Sequence, residues 1–368
     1  MKAPNRILFI LHFPPPVHGS SVVGSFIKRS QVINEFFNCR YINLGISATV
    51  EDIGRNSFRK FFRYFSLIWK VKKQLLTFRP DLCYLTPTSQ GVGFYKDVLI
   101  IAIVKLFGVK TIYHFHNKGV SKKQNKVFDN FLYRFVFRNA NIILLSKYLY
   151  SDIQKYVPIT RVYYCPNGIP DYEDKRQKAK DKSSNNVVEI LFISHLIESK
   201  GVYVLIEALK ILKAKDIVFH STIIGGEKDI TENQLKLRIE KAGLESYILV
   251  AGKKYGEDKL TAFKLADIFA LPTFYYNECL PLVILEAMQH SLPVISTFEG
   301  GIPDIVDDGV TGFLVPQKDA VALAEKLEIL INNPALCQSM GKAGREKYVK
   351  EFTLEIFERR MKEILEKI

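Results

Sequence analysis

Cys165-Pro166-Asn167-Gly168-Ile169-Pro170 is a turn cluster, and it runs directly into a polar stretch over 171–186. Two prolines and a glycine in six residues end regular structure and mark a boundary. The same pattern is written on both sides of it. Upstream, short runs of β-branched and aromatic residues at 6–13, 40–44, 82–85, 110–116, 142–146 and 161–165 alternate with helix-length amphipathic stretches, the first starting near Val22. Downstream, strand-like runs at 188–194, 218–224, 247–251, 268–271, 293–296 and 312–315 alternate with helical ones at 202–213, 231–242, 259–265, 282–289, 320–331 and 334–347. Continuous apolar strands separated by helices imply parallel sheets covered on both faces. The expectation is an α/β protein of two Rossmann-like domains, 1–168 and 169–350. A final helix within 351–368 then packs back toward the first.

Composition narrows the class. Hydrophobic residues make up 48% of the 368 and charged residues 24%, ordinary for a globular chain with a real core. No stretch approaches the ~20 apolar residues of a membrane span; the best, from Val98 to Val104, stops at Lys105. The apolar run from Ile7 to Leu11 is too short for a secretion signal, so the chain is expected in the cytoplasm. Five scattered cysteines with no CxxC pair argue against a disulfide framework or a zinc site. The net charge of +14 favours anionic partners: nucleic acid, acidic membrane or phosphorylated substrate.

The most informative chemistry lies in Asn277-Glu278-Cys279-Leu280-Pro281-Leu282-Val283-Ile284-Leu285-Glu286. One carboxylate precedes a helix and a second sits inside it, with Pro281 suited to the first turn. The amides around Leu280, Leu282 and Val283, at the positive helix end, make a ready phosphate site. On spacing alone, a cap-region Glu and a solvated Glu explain the pair equally well.

The surroundings shift that balance. Ala266-Asp267-Ile268-Phe269-Ala270-Leu271-Pro272-Thr273, the Glu-x7-Glu pair, Ser291-Leu292-Pro293-Val294-Ile295-Ser296, Gly300-Gly301-Ile302-Pro303-Asp304-Ile305-Val306 and Asp308-Gly309-Val310-Thr311-Gly312 together resemble the retaining family-four glycosyltransferases (glycosyl transferases group 1) of the GT-B fold. The resemblance is dense over 188–347 and thinner upstream. It implies two facing Rossmann-like lobes with a deep cleft, and a sugar moved with retained anomeric configuration from a UDP- or GDP-sugar to a glycan or lipid-linked saccharide, as in polysaccharide or glycolipid synthesis. Neither metal nor cofactor is implied. Residue by residue, it gives Glu278 the donor sugar's hydroxyls, Glu286 the ribose hydroxyls, and Lys200 the departing diphosphate, whose growing charge a cation stabilises. His116 falls beside the sugar ring, at a strand end where ligands sit in open α/β sheets. Gly19 and Ser20 occupy the place of a glycine-rich loop near the phosphate and acceptor. Front-face substitution, with the phosphate taking the acceptor's proton, is the mechanism the resemblance implies.

Two departures bear on the donor. Where the family has Gly-Arg, this chain has Ser194-His195, so the second phosphate cation is either absent or His195 itself, and imidazole is only partly charged at neutral pH. The family's Glu-Gly-Phe-Gly is here Glu278-Cys279-Leu280-Pro281, which alters how closely backbone approaches the sugar.

Charge is concentrated. Arg55, Arg59, Lys60, Arg63, Lys70, Lys72, Lys73 and Arg79 lie in a segment with no acid between Ile53 and Pro80, interleaved with aromatics including Trp69. A core-packed helix with a solvated basic face explains this plainly. An amphipathic helix resting on an anionic membrane, at the inner face, explains it as well. No nucleic-acid motif accompanies the patch. Rival functions remain: a sugar-nucleotide epimerase, a phosphorylase (no residue here marks a pyridoxal phosphate lysine), or a non-catalytic nucleotide-sugar-binding partner subunit.

Overall fold

A computed structural model describes residues 6–15, 17–45, 58–172 and 187–368, with backbone alone for 58–61. Arg55, the side chains of Arg59 and Lys60, and most of the polar boundary run lie outside the described residues. The chain divides into two compact units, Met1–Gly168 with Leu354–Ile368, and Ile169–Thr353.

In the first unit the order is β1 (Arg6–Leu11), α1 (Gly19–Arg29), α2 (Gln31–Phe36), β2 (Asn38–Asn43), α3 (Phe58–Thr77), β3 (Leu82–Leu85), α4 (Gly91–Leu106), β4 (Lys110–Phe115), α5 (Val120–Lys123), α6 (Val127–Phe137), β5 (Asn141–Leu144) and β6 (Val162–Tyr164). The sheet is ordered β2-β1-β3-β4-β5-β6, and every pairing is parallel. Ile7, Leu8, Phe9, Ile10 and Leu11 are fully buried, as a strand covered on both faces requires.

The second unit repeats the scheme: β7 (Val188–Ile193), α7 (Val202–Ala214), β8 (Phe219–Ile224), α8 (Glu232–Lys241), β9 (Ile248–Val250), α9 (Gly256–Leu265), β10 (Ile268–Ala270), α10 (Leu282–Gln289), β11 (Val294–Thr297), α11 (Ile302–Ile305), β12 (Gly312–Val315), α12 (Ala320–Asn332) and α13 (Pro334–Glu351). Its sheet is also all parallel, ordered β12-β11-β10-β7-β8-β9. Val202, Leu205, Ile206, Leu209 and Leu212 of α7 are buried, the i, i+3, i+4, i+7 spacing of a core-facing stripe. The last helix, α14 (Leu354–Glu366), returns to the first unit, burying Phe357, Met361 and Leu365.

Two sequence expectations shift. Helix α1 starts at Gly19 rather than near Val22, because His18 caps it. The Ser21 amide donates to His18 Nδ1 at 3.3 Å while the Ser21 hydroxyl accepts the His18 amide at 3.0 Å, a capping box. Gly19 and Ser20 therefore form the first helical turn, not a loop. Pro281 is the cap of α10 rather than a first-turn residue: its ψ of 117° is extended, and the helix begins one residue later.

Candidate active site

Ligands of open α/β sheets sit outside the carboxyl ends of the strands, where strand order reverses. In the second sheet that point lies between β7 and β10. Two loops meet there. The loop after β7 closes as a short turn, Glu198–Lys200, ended by Gly201 at φ +88°. A Cβ on Gly201 would lie 2.1 Å from the Pro272 carbonyl oxygen, so only glycine lets this loop rest on the one after β10. The Phe274 amide and the Thr273 hydroxyl both donate to the Ser199 carbonyl, at 2.7 and 3.3 Å. Lys200 is thereby held 4.6 Å from the Tyr275 ring centroid and donates to Glu278 Oε2 in an ion pair.

Glu278 is 8% exposed, and its backbone is fixed from two sides. Its amide donates to the Tyr275 carbonyl at 2.8 Å, and the Gly301 amide donates to the Cys279 carbonyl at 2.7 Å. Gly300, at φ +58°, passes so close that a Cβ would lie 2.2 Å from the Glu278 carbonyl oxygen. Pro281 makes no side-chain cap to α10, and the first turn that follows, with Leu282 and Val283, can offer amides to an anion. Leu280 is buried beneath.

Glu286 lies further along α10, and both of its oxygens accept from Lys259 Nζ, at 2.7 and 2.6 Å. The structure thus gives the two carboxylates separate cations, Lys200 for Glu278 and Lys259 for Glu286. Lys259 is invisible to local spacing: it stands on α9, 27 residues earlier, and only tertiary packing brings it over.

His195 follows β7 and is exposed. Partial burial of its ring, then the charges of Lys228, Lys200 and Lys253, lower its pKa from the usual imidazole value. The loop after β8 comes in through the Leu196 amide, which donates to the Gly226 carbonyl at 2.8 Å. A Cβ on Gly226 would meet both Lys253 Cδ at 3.3 Å and His195 Nδ1 at 3.6 Å. Three strand ends therefore assemble an electropositive patch around one neutral imidazole. Lys228 and Lys253 were not legible as partners, since their loops carry no motif.

In the first unit the reversal lies between β1 and β3, and histidines gather there. His12 Nδ1 is 3.4 Å from Thr86 Oγ1, and its ring is 5.8 Å from that of His18. The Ser20 hydroxyl donates to His18 Nδ1 at 3.0 Å; since the Ser21 amide donates to the same nitrogen, His18 carries its proton on Nε2. His116 and His114 end β4 on one side of the strand, rings 4.3 Å apart; His114 Nδ1 meets the Tyr84 hydroxyl at 2.5 Å. Burial, with His12 and His18 as neighbours, pushes His116 down to about 3, so it is neutral at pH 7. Its Nε2 is buried and has no hydrogen-bond partner among the described residues. Nothing stands within 4 Å of a Cβ on Gly19, whereas one on Gly24 would lie 2.1 Å from the His12 carbonyl oxygen. Gly24, overlooked in the sequence, lets α1 pack against the end of β1. Among the described residues no three His, Cys, Asp or Glu side chains are grouped to hold a metal ion.

Two all-parallel six-stranded sheets in consecutive units are the GT-B architecture. A crystal structure of Anabaena HepE in complex with UDP superposes with TM-score 0.75, covering 99% of this chain and 100% of that one at 16% identity, a likeness of fold. Residues 173–347 match the family model of glycosyl transferases group 1. The putative colanic acid biosynthesis glycosyltransferase WcaL of Salmonella typhimurium is 28% identical over 270 residues, 71% of this chain and 64% of that protein. The amylovoran biosynthesis glycosyltransferase AmsK of Erwinia amylovora is 38% identical over 186 residues, 49% of this chain and 45% of that protein. The chain spans less than two thirds of the length of these relatives.

Proposed function

We propose that the chain transfers a sugar, with retained anomeric configuration, from a nucleotide-sugar to a glycan or lipid-linked saccharide in cell-surface polysaccharide or glycolipid synthesis. The reading places it on the cytoplasmic side, at the inner face of a membrane. The observation that carries it is the Lys200–Glu278 ion pair at the reversal point of the second sheet, beside the start of α10. In the proposed step the bond from the anomeric carbon to the diphosphate breaks, the acceptor oxygen bonds to the same face, and its proton passes to the departing phosphate. Lys200, with the amides of Leu282 and Val283, supports the leaving charge. Glu278 orients the sugar, and Glu286 takes the ribose hydroxyls in place of Lys259. His116, Gly19 and Ser20 keep the sugar- and phosphate-facing roles the resemblance gives them. The proposal calls on no metal or cofactor.

UDP-sugars are the first donors to try, since HepE is described in complex with UDP-glucose. Donor consumption is followed with and without saccharide acceptors. Consumption that requires an acceptor, with a new glycosidic product, supports the reading. Conversion of the donor alone makes the chain an epimerase; binding without turnover on any acceptor makes it a partner subunit.

His195 supplies a second expectation. A diphosphate beside it favours the imidazolium, so binding raises a pKa that is lowered in the free protein. Binding then takes up a proton, and affinity rises as pH falls through the bound-state value, levelling off below the free-state value. The diphosphate of a nucleotide-sugar does not itself titrate there. Calorimetric affinities from about pH 5.5 to 8, bracketing the ordinary imidazole pKa, should slope for the wild type and flatten for His195→Arg. A flat wild-type profile would put the diphosphate elsewhere.

A further inference from the structure

Residues 53–151 hold 18 Lys and Arg against three Asp, while the whole chain carries a net +14. The entire net charge therefore belongs to one segment of the first unit, the segment that contains α3, α4 and α6. Strand order fixes where those helices lie. The steps from β2 to β3, β3 to β4 and β4 to β5 all run in one direction across the sheet, opposite to the step from β1 to β2. Right-handed crossovers then put α3, α4 and α6 together on one face. The Tyr64 hydroxyl on α3 donates to the Lys96 carbonyl on α4 at 2.7 Å, and the Tyr95 hydroxyl on α4 donates to Asp129 on α6 at 2.8 Å.

Each helix buries one apolar stripe and exposes another. On α3, Leu67, Val71 and Leu75 face the core, while Trp69 is 69% and Leu76 61% exposed. On α4, Phe94, Val98 and Ile101 are buried, yet Leu99 is 53% and Leu106 84% exposed. On α6, Tyr133 and Val136 are buried while Phe128 and Phe131 are 64% and 67% exposed. A helix apolar on every side, as α4 is, belongs in a core or against lipid rather than in an outer layer facing water. Spread over three adjacent helices, these side chains exceed the scattered single hydrophobics of an ordinary surface.

Acids are scarce in the sequence of α3, α4 and α6. Their two acids, Asp97 and Asp129, are both buried; Asp97 accepts the Thr88 amide at 2.7 Å, and burial pushes it up to about 7. The cations crowd one another: burial, then Arg138 and Arg161, lowers Lys105 to about 8. Beside α3, Ser66, Lys70, Lys73 and Gln74 line a cavity of about 530 Å³ with Tyr41 and Asn43, room for a phosphate group at the edge of the apolar surface.

We propose that the outer surface of α3, α4 and α6 docks onto an anionic lipid bilayer, with Trp69, Leu99 and Phe131 entering the interface and the surrounding Lys and Arg facing lipid phosphates. A strongly basic surface with an apolar centre is complementary to an anionic bilayer and not to a neutral one. The inference stands whether or not the chain is a transferase.

Trp69 is the sole tryptophan of the chain, so its emission reports directly on this face. With vesicles of phosphatidylcholine and phosphatidylglycerol, emission shifts to the blue and the protein floats with the lipid; vesicles of phosphatidylcholine alone bind at least tenfold more weakly. Lys70→Ser/Lys73→Ser should weaken binding about thirtyfold, at roughly fivefold per cation. Leu99→Ser/Phe131→Ser, at exposed positions that leave the melting temperature unchanged, should weaken it at least tenfold while keeping Trp69 as the probe. Three results overturn the proposal: no binding to either vesicle, equal binding by wild type and the Leu99/Phe131 variant, or a lipid-free dimer that this variant abolishes, which makes the face an interface between copies. Failure of these assays leaves donor turnover untouched, and loss of turnover leaves flotation untouched.

Discussion

Glu278→Gln is expected to lower the rate of transfer at saturating donor by about a hundred- to a thousandfold, the scale of losing one positioned polar group in an active site. The carboxylate has two separable jobs. It neutralises Lys200 where both side chains are largely shielded, at 10% and 15% exposed respectively, and it is proposed to hold the sugar. Glutamine nearly preserves shape but leaves the Lys200 charge without its partner, which should cost roughly 1–3 kcal/mol of stability. Lys200→Met in the Glu278→Gln background removes the stranded charge. Stability should then recover toward wild type while activity stays lost. The rate assay decides the matter: a Glu278→Gln protein that keeps more than a tenth of wild-type turnover has only a structural carboxylate there.

Gly300→Ala should be nearly as damaging by a different route. At φ +58° an alanine is strained by roughly 1–2 kcal/mol. Its Cβ would also fall 2.2 Å from the Glu278 carbonyl oxygen; backbone cannot yield as a flexible side chain does, and overpacking of this kind adds ~1–3 kcal/mol. The loop that carries Glu278 must move. Gly309→Ala is the control, since Gly309 has φ +78° with nothing within 4 Å of its Cβ. Both variants should melt early, Gly300→Ala by more, and only Gly300→Ala should lose donor affinity and turnover. Equal donor affinity in the two would mean that the Glu278 loop tolerates displacement.

The architecture was open to sequence reading because buried parallel strands advertise themselves as unbroken apolar runs. β3, β12 and α10 fall where their residues place them, and most other strands differ only at the ends, where hydrogen bonding stops before hydrophobicity does. Helix starts were harder. His18 is an uncommon cap, so Gly19 and Ser20 read as loop. Pro281 has the φ of a first-turn residue, and only its ψ excludes it. Of the site, Glu278, Glu286 and Lys200 were visible because they sit in dense motifs. Lys259, Lys228 and Lys253 were not: a cation reaching in from another helix or strand end leaves no periodic trace. Gly24, Gly201 and Gly300 were likewise unreadable as necessities, because what requires glycine is a carbonyl from a distant stretch of chain.

Helix α14 follows the whole second unit in the chain yet supplies Phe357, Met361 and Leu365 to the interior of the first. On the ribosome, the segment up to Gly168 emerges early and waits for that helix until nearly 200 further residues have been translated. Its last patch of core stays uncovered throughout, so the half made first is the half that can be finished last. Expression of residues 1–168 alone should yield material that aggregates or is degraded, and supplying 354–368 as a separate peptide should rescue it.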